Sequence, residues 1–444
     1  MFFAARSFRG GIHPHYHKNH TMAKSLEKMA PPVRVVIPLT QHLGTPNKPL
    51  VEVGQIVKVG QVLADTTALV AVPVHASVSG KIVALEKRPH PLLGKDWAVE
   101  IENDGLDQKD PSLKPYGSWQ DLTADELRAA MRKIGLVGLG GAAFPTHVKY
   151  QPQAGKKIEM VILNGAECEP YLTIDHRLMV EEPGLVIQGL LALMKAAQVE
   201  KGCIGVEVNK KDAIAALKKE TALCNNIQIV PLAAKYPQGE ERLLIKAITG
   251  REVPSGKLPL DVGVVVNNVF TSVSFHRSLI SGMPLVETSL TVSGPGIKDP
   301  RNLTVKVGTL AGDIVDQCGG LLENPPGKII FGGPMTGQAQ YRFDMPVLKA
   351  TSGLLVFRHQ DLDQEPLASC VHCGRCVDVC PYGLLPLYLE KYINRDRLAE
   401  AETAGLWDCR ECGCCTSICP SRRPILQAVK TAKDELNKLR KKAQ

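Results

Sequence analysis

The sequence predicts a multidomain protein assembled from α/β and α+β parts, and three observations carry that prediction. Short β-branched runs punctuated by glycine fill residues 33–105, strand and helix patterns alternate from about 120 to 250, and nine of thirteen cysteines crowd into residues 370–419. A chain of 444 residues has room for about three domains. Hydrophobic residues at 44% and charged residues at 22% are the composition of a soluble globular protein and exclude a disordered or collagen-like chain. The longest apolar stretch, GLVIQGLLALM at 184–194, is about half of what a bilayer crossing needs and is broken by Gln188, so no transmembrane segment is expected. MFFAARSFRGG at the start is too short for a signal peptide, and Arg6 and Arg9 follow its apolar run, so the chain is expected in the cytoplasm. Thiols stay reduced there, and crowded ones read as metal ligands.

Taken in order, residues 1–30 form an N-terminal arm. Its His13, His15, His17 and His20 could bind a metal, but Pro14 and an extended arm argue against an ordered site. Residues 31–110 read as an all-β module, with bends at Gly54, Gly60 and Gly80. Its two glycine-punctuated halves resemble the barrel-sandwich hybrid fold of biotinyl and lipoyl carriers. No lysine stands between Lys58 and Lys81, where the carrier lysine would sit, so the module is expected to be structural.

A third unit covers 118–255. Thr123 and Glu126 form a capping box for a helix, KIEMVILNG at 157–165 reads as a buried strand, and helices at 183–197 and 211–223 alternate with strands at 203–208 and 227–232. Such alternation makes a mostly parallel sheet. Residues 256–345, with short strands including VGVVVNN and a helix near 311–318, read as a compact α+β module. After the polar connector RHQDLDQEP comes a cysteine-rich unit, 362–425, with helical sequence between its two cysteine runs, and then a basic tail, 426–444. The net charge of +8 concentrates in 421–444, where eight Lys and Arg face two acids. That segment suits anionic lipid, an acidic partner or a solvated helix end, and no nucleic-acid partner is expected.

Both cysteine runs read CxxCxxCxxxCP: Cys370, Cys373, Cys376 and Cys380, then Cys409, Cys412, Cys415 and Cys419. This is the two-cluster ferredoxin pattern, in which the fourth cysteine of each run binds the other cluster. Three thiolates wrap one cube and the Cys-Pro turn carries the chain toward the second. The expected sets are therefore Cys370, Cys373, Cys376 and Cys419 for one [4Fe–4S] cluster, and Cys380, Cys409, Cys412 and Cys415 for the other. Structural zinc also uses four thiolates but pairs CxxC knuckles instead. Cys414 breaks the spacing and is left as a spare thiol. Arg375 and Arg410 inside the runs would raise cluster potentials or face a redox partner. About 28 residues of helical pattern between the runs resemble α-helical ferredoxin modules.

Clusters take single electrons whereas NADH gives up a hydride, so a flavin is the expected adaptor. GLVGLGGAAFPTHVKY at 135–150 is the candidate site, because consecutive glycines let backbone amides approach a ligand closely. Gly138, Gly140 and Ala143 formally match GxGxxA, but a helix precedes them where the dinucleotide fingerprint needs a strand. The stretch instead resembles the GLRGRGGAGFPTGLKW loop of the flavoprotein subunit of respiratory complex I. VILNGAECEPYLTIDHR resembles that family's NADEGEPGTFKDR, and VVNNVFT at 265–271 is similar to its VNNVET. With FRGGIHPHYHK, the β module and the twin cysteine runs, nearly the whole chain resembles the RnfC family, a component of the Rnf ion-translocating electron transport complex.

That resemblance implies a Rossmann-like FMN/NADH domain, a β-grasp-like (SLBB) module at 256–345 and two [4Fe–4S] clusters. Non-covalent FMN would be held by Gly138, Gly140, Gly141, Lys149, Asn164, Asn267 and Asn268, with Phe144 against the NADH adenine and Glu167 and Glu169 lining the nicotinamide and ribose pocket. Leu139 stands for a family arginine, and Ala143 and Cys168 for glycines. Cys168 could touch flavin, while Cys203, Cys224 and Cys318 read as core. The implied protein is an NADH-dependent flavin and iron–sulfur oxidoreductase of the translocase class, peripheral on the cytoplasmic side of the bacterial inner membrane. Its implied partners are other subunits of a membrane complex, one of them an iron–sulfur subunit, and indirectly ferredoxin. Alternatives are a soluble NADH-dependent diaphorase such as a cobalamin reductase, or a non-enzymatic electron-carrying adaptor.

Overall fold

A computed structural model describes residues 5–153, 155–222 and 224–442, with residues 441 and 442 described by backbone alone. The β module is two facing sheets. Strands Arg34–Pro38, Gly94–Asn103, Gly80–His90 and Ile56–Val57 lie side by side in that order, and Lys48–Pro49, Val62–Asp65 and Val74–His75 form the second sheet. Alternating residues such as Val35, Ile37, Leu63, Val74, Ile82, Val99 and Ile101 point inward and fill a small core.

The nucleotide-type domain begins with helix Ala124–Lys133, where Thr123 and Glu126 cap each other as the sequence predicts. Four parallel strands follow, ordered Ile227–Leu232, Gly202–Glu207, Met160–Gly165, Val264–Asn268. Helices Pro183–Ala197 and Val269–Ser281 pack against one another, and Leu190, Leu193, Val273 and Leu279 share one core with Val161, Leu163 and Ile204 of the sheet. One expectation is corrected here. The 264–268 strand, read from sequence as part of the 256–345 module, is the fourth strand of this parallel sheet, paired with 160–165 from Val264↔Met160 to Asn268↔Asn164. A short apolar run signals a strand without saying which sheet it joins. The chain steps outward from 160–165 to 227–232, then returns to the opposite side of 160–165. Strand order therefore reverses between 160–165 and 264–268, where open α/β sheets bind ligands beyond their carboxyl ends.

The next sheet has six strands, Leu26–Lys28, Arg301–Lys306, Glu287–Ser293, Gly353–Phe357, Lys328–Phe331 and Gln338–Gln340, with helix Ala311–Gln317 over it. Two of its strands lie outside 256–345: Leu26–Lys28 comes from the arm, and Gly353–Phe357 precedes the connector. The arm is thus woven in along its length. Arg6 bridges to Leu232, Ile12 to Tyr236, and the amide of Gly11 donates to Val379 O (2.8 Å).

In the cysteine-rich unit, helices Pro386–Ile393 and Leu398–Thr403 fill the space between the runs. The basic segment is not a free tail: helix Ile425–Lys442 buries Val429, Ala432 and Leu436 against Leu389, Ala401 and Leu406. Among its described side chains Lys433 pairs with Glu411, Lys438 with Asp434 and Arg440 with Glu402, while Arg422 latches Asp363 and Glu365 of the connector.

Candidate functional site

At the strand-order reversal the side chains of Asn164 and Asn268 stand next to each other, at paired positions of adjacent parallel strands. The loop 138–144 closes over this crevice: Gly138 N donates to Phe144 O (2.9 Å), and Val137 pairs with Pro145. A methyl group at Gly140 (φ +70°) would meet Asn268 Nδ2 at 3.2 Å, so the loop backbone rests on that side chain, whereas one at Gly141 would meet nothing within 4 Å. Ala143 also takes positive φ (+53°), the conformation that explains a glycine there in the similar family loop. Leu139 turns inward, 3% exposed, and its amide donates to Thr271 Oγ1 (3.0 Å).

The remaining predicted residues line up as follows. Lys149 Nζ donates to Val266 O (2.8 Å) and pairs with Glu241 at 3.2 Å. Asn164 Nδ2 donates to Gly239 O (2.8 Å). Asn267 Nδ2 donates to the hydroxyl of buried Tyr150, while its Oδ1 is buried without a partner. Asn268 caps helix 269–281 through Phe270 N (2.6 Å) and donates from Nδ2 to Asp175 Oδ2 (2.7 Å). A glycine-walled opening, paired asparagines and a lysine at a strand-order reversal fit a flavin nucleotide, and Asn267 Oδ1 is a buried acceptor left without a protein partner.

The two acids are both engaged by protein. Glu167 accepts from Asp175 N (2.9 Å) and His176 N (3.4 Å) at the start of helix Ile174–Glu181, and Lys18 Nζ lies 3.8 Å away. Glu169 accepts from Met335 N (3.0 Å) and Thr336 N (2.9 Å), and burial pushes its pKa up. Asp175, missed by sequence reasoning, carries the carboxyl that touches Asn268; burial first, and then the charge of Glu167, raise its pKa to about 7. It lies inside the TIDHR stretch, but only the fold brings it against residue 268.

The cysteines converge as two sets. Cys370, Cys373, Cys376 and Cys419 line one cavity, and Cys380, Cys409, Cys412 and Cys415 line another, with Ile425 as a wall between them. The two runs wind alike. His372 and Glu411 take positive φ (+52° and +56°), as do Gly374 and Gly413 (+77° and +78°), and a short helix follows each, Arg375–Asp378 and Cys414–Ser417. Two left-handed residues in each run bend the backbone around its cavity, a turn of the kind that forms anion cradles. Among the described residues no three His, Cys, Asp or Glu side chains converge tightly enough for a single metal ion. Four thiols around a wider cavity fit a cube better than zinc. Cys414 borders the second cavity beside Cys412 and also packs in a small apolar cluster with Ile12, Cys168 and Tyr236. The arm histidines do not converge on a metal: His17 stacks on Tyr171 at 4.8 Å and His13 meets Ala234 O.

Four family models match: a Nuo51 FMN-binding domain over residues 131–277, an RnfC barrel sandwich hybrid domain over 6–106, a 4Fe-4S dicluster domain over 365–423 and an SLBB domain over 289–339. The chain is 47% identical over 436 residues to the C component of the Na(+)-translocating ferredoxin:NAD(+) oxidoreductase complex of Acetobacterium woodii, covering 98% of both chains. It is 45% identical over 431 residues to the C component of the proton-translocating ferredoxin:NAD(+) oxidoreductase complex of Clostridium ljungdahlii, covering 97% of this chain and 94% of that one. With the C component of the ion-translocating oxidoreductase complex of Rhodobacter capsulatus it shares 37% over 442 residues, 98% of this chain and 85% of that one. A crystal structure of an NAD+-reducing [NiFe]-hydrogenase in the H2-reduced state matches with TM-score 0.51 at 20% identity, over 73% of this chain and 63% of that one, a likeness of fold alone. On these matches, the chain belongs to the RnfC family of ion-translocating ferredoxin:NAD+ oxidoreductase complexes.

Proposed function

We propose that this chain exchanges electrons between NADH and the other subunits of a membrane-bound ferredoxin:NAD+ oxidoreductase. It would do so from the cytoplasmic face of the membrane, with FMN in the 164/267/268 crevice and a [4Fe–4S] cluster in each cysteine cavity. The observation that carries this reading is the partition of eight thiols into two sets of four, each set drawn from both runs, in the unit that abuts the crevice domain. Bound flavin would accept electrons as a hydride pair and release them singly, which neither nicotinamide nor cluster does alone.

In this reading Gly140 and Gly141 keep the opening clear, Asn267 Oδ1 accepts from the isoalloxazine or ribityl chain, and Lys149 supplies positive charge to phosphate once it leaves Glu241. Phe144 offers a face to adenine. Glu167 and Glu169 act on the nucleotide mainly by holding helix 174–181 and the 333–336 turn at the pocket edge. Among the described residues no helix is long and apolar enough to cross a membrane, which fits attachment through partner subunits. The two relatives named for different coupling ions are nearly equally similar to this chain, so ion choice is assigned to other subunits.

A second reading is an electron-carrying adaptor without nucleotide binding, favoured by the engagement of Lys149, Glu167 and Glu169 with protein groups. One measurement separates the two: iron, sulfide and flavin analysis of anaerobically purified protein, with electron paramagnetic resonance before and after NADH. About eight irons, one FMN and reduction by NADH are expected. Full iron with flavin that NADH does not bleach supports the adaptor, and zinc in place of iron overturns both.

A further inference from the structure

Between the crevice and the inner cysteine cavity, that of Cys380, Cys409, Cys412 and Cys415, runs one short, unbroken set of contacts. Asn164 Nδ2 donates to Gly239 O (2.8 Å), and Gly239 N donates to Cys168 Sγ (3.4 Å). A methyl group at Gly239 would stand 2.5 Å from Ala166 O, so only glycine allows this approach. Three residues before Gly239, the side chain of Tyr236 is 2% exposed and packs with Cys168 and Cys414. Its hydroxyl donates to Cys412 O (2.7 Å), and Cys414 Sγ lies 3.9 Å from its carbonyl. Ile12 of the arm clamps its backbone from the other side through two hydrogen bonds of 2.8 and 2.9 Å. Among the described residues the outer cavity has no such partner, and Cys370 and Cys373 are exposed.

We propose that Tyr236 is a positioning residue that seals the inner cavity against water and polarises the Cys412 peptide, so setting the potential of the cluster held by Cys380, Cys409, Cys412 and Cys415. This rests on the reading given under Proposed function. Hydrogen bonding and solvent exposure around a cluster are levers on its potential. The hydroxyl donates to the carbonyl of Cys412, which borders the cavity, and offsets that carbonyl's negative charge in favour of the more negative, reduced state. Removing that hydroxyl makes reduction harder.

The test is Tyr236→Phe in the full chain, purified anaerobically with its cofactors and titrated against potential while electron paramagnetic resonance follows both clusters. Cys380→Ala identifies which signal belongs to the inner cavity. The expected result is unchanged iron and FMN, a more negative midpoint for the inner cluster and an unmoved midpoint for the outer one. A purely structural role would instead lower cofactor content or move both. Cys168→Ala, which removes the sulfur on which the 236–239 turn leans, is expected to shift the same midpoint in the same direction by less, and serves if Tyr236→Phe does not fold. Wild-type protein carrying both clusters and flavin, with the inner midpoint unmoved in both variants, overturns this inference alone. Wild-type protein lacking flavin or iron overturns the underlying reading with it.

Discussion

The two cysteine cavities are built from the same local sequence and end in opposite surroundings. Around the outer one, Cys370 and Cys373 are exposed, and Leu367 and Val371 beside them stand 63% and 66% exposed. Around the inner one, Cys409, Cys412 and Cys415 are half-buried, Cys414 is 1% exposed, and Tyr236, Met335 and Val379 close the side toward the crevice. Local pattern therefore makes two equivalent cradles, and tertiary packing makes one face the nucleotide domain and the other face outward.

The largest effect that can break this comparison is a ligand exchange across the runs. Cys380→Ala lies in the first run yet is expected to abolish the inner cluster, and Cys419→Ala the outer one, each lowering iron from about eight to about four per chain. Iron analysis with electron paramagnetic resonance checks it, and loss of the same-run cluster would reverse the assignment. A second, kinetic difference follows from exposure. Under ferricyanide or a strong chelator the outer cluster signal is expected to decay first, because solvent reaches Cys370 and Cys373 directly.

A smaller effect sharpens the link between crevice and inner cavity. Asn267→Leu removes the orphaned acceptor and is expected to weaken FMN binding about tenfold, some 1.4 kcal/mol, with iron content retained; flavin fluorescence titration measures it. The smallest concerns Asp175, whose pKa is raised from 3.8 to about 7 in the folded chain. Between those values the folded state holds a proton that the unfolded state has released, so this group makes stability fall as pH rises from about 4 to 7 and adds nothing further above. Asp175→Asn is expected to flatten that part of the stability profile, read by thermal melts across the range.

Much of this is legible without coordinates, for a physical reason. A cluster cradle is local, so Cys370 to Cys376 and Cys409 to Cys415 declare themselves by spacing, and the Thr123–Glu126 cap is likewise complete within four residues. The crevice is not local. Asn164 and Asn268 meet only because a strand about 100 residues later returns to pair with 160–165, whereas its sequence pattern alone assigns that strand to another sheet. Tyr236 lies in no motif, and the stretches that hold Asp175 and Lys18, TIDHR and FRGGIHPHYHK, do not reveal what the fold sets beside them. The basic segment is legible in part: a helix end is among the readings its charge pattern allows, but the acids Glu402 and Glu411 that pair with Arg440 and Lys433 lie elsewhere in the chain.

The woven arm has a consequence for how the polypeptide is made. Residues 6–28 leave the ribosome long before their docking partners, which include Leu232, Asn302 to Thr304 and Val379. The arm's partners emerge one after another, from Glu167 and Tyr171 to Val379, so its attachment is a long-range closure completed only late in synthesis, with a correspondingly slow folding phase. Anything fused just ahead of Arg6 must be carried through that closing step, which makes that position a poor place for a bulky label.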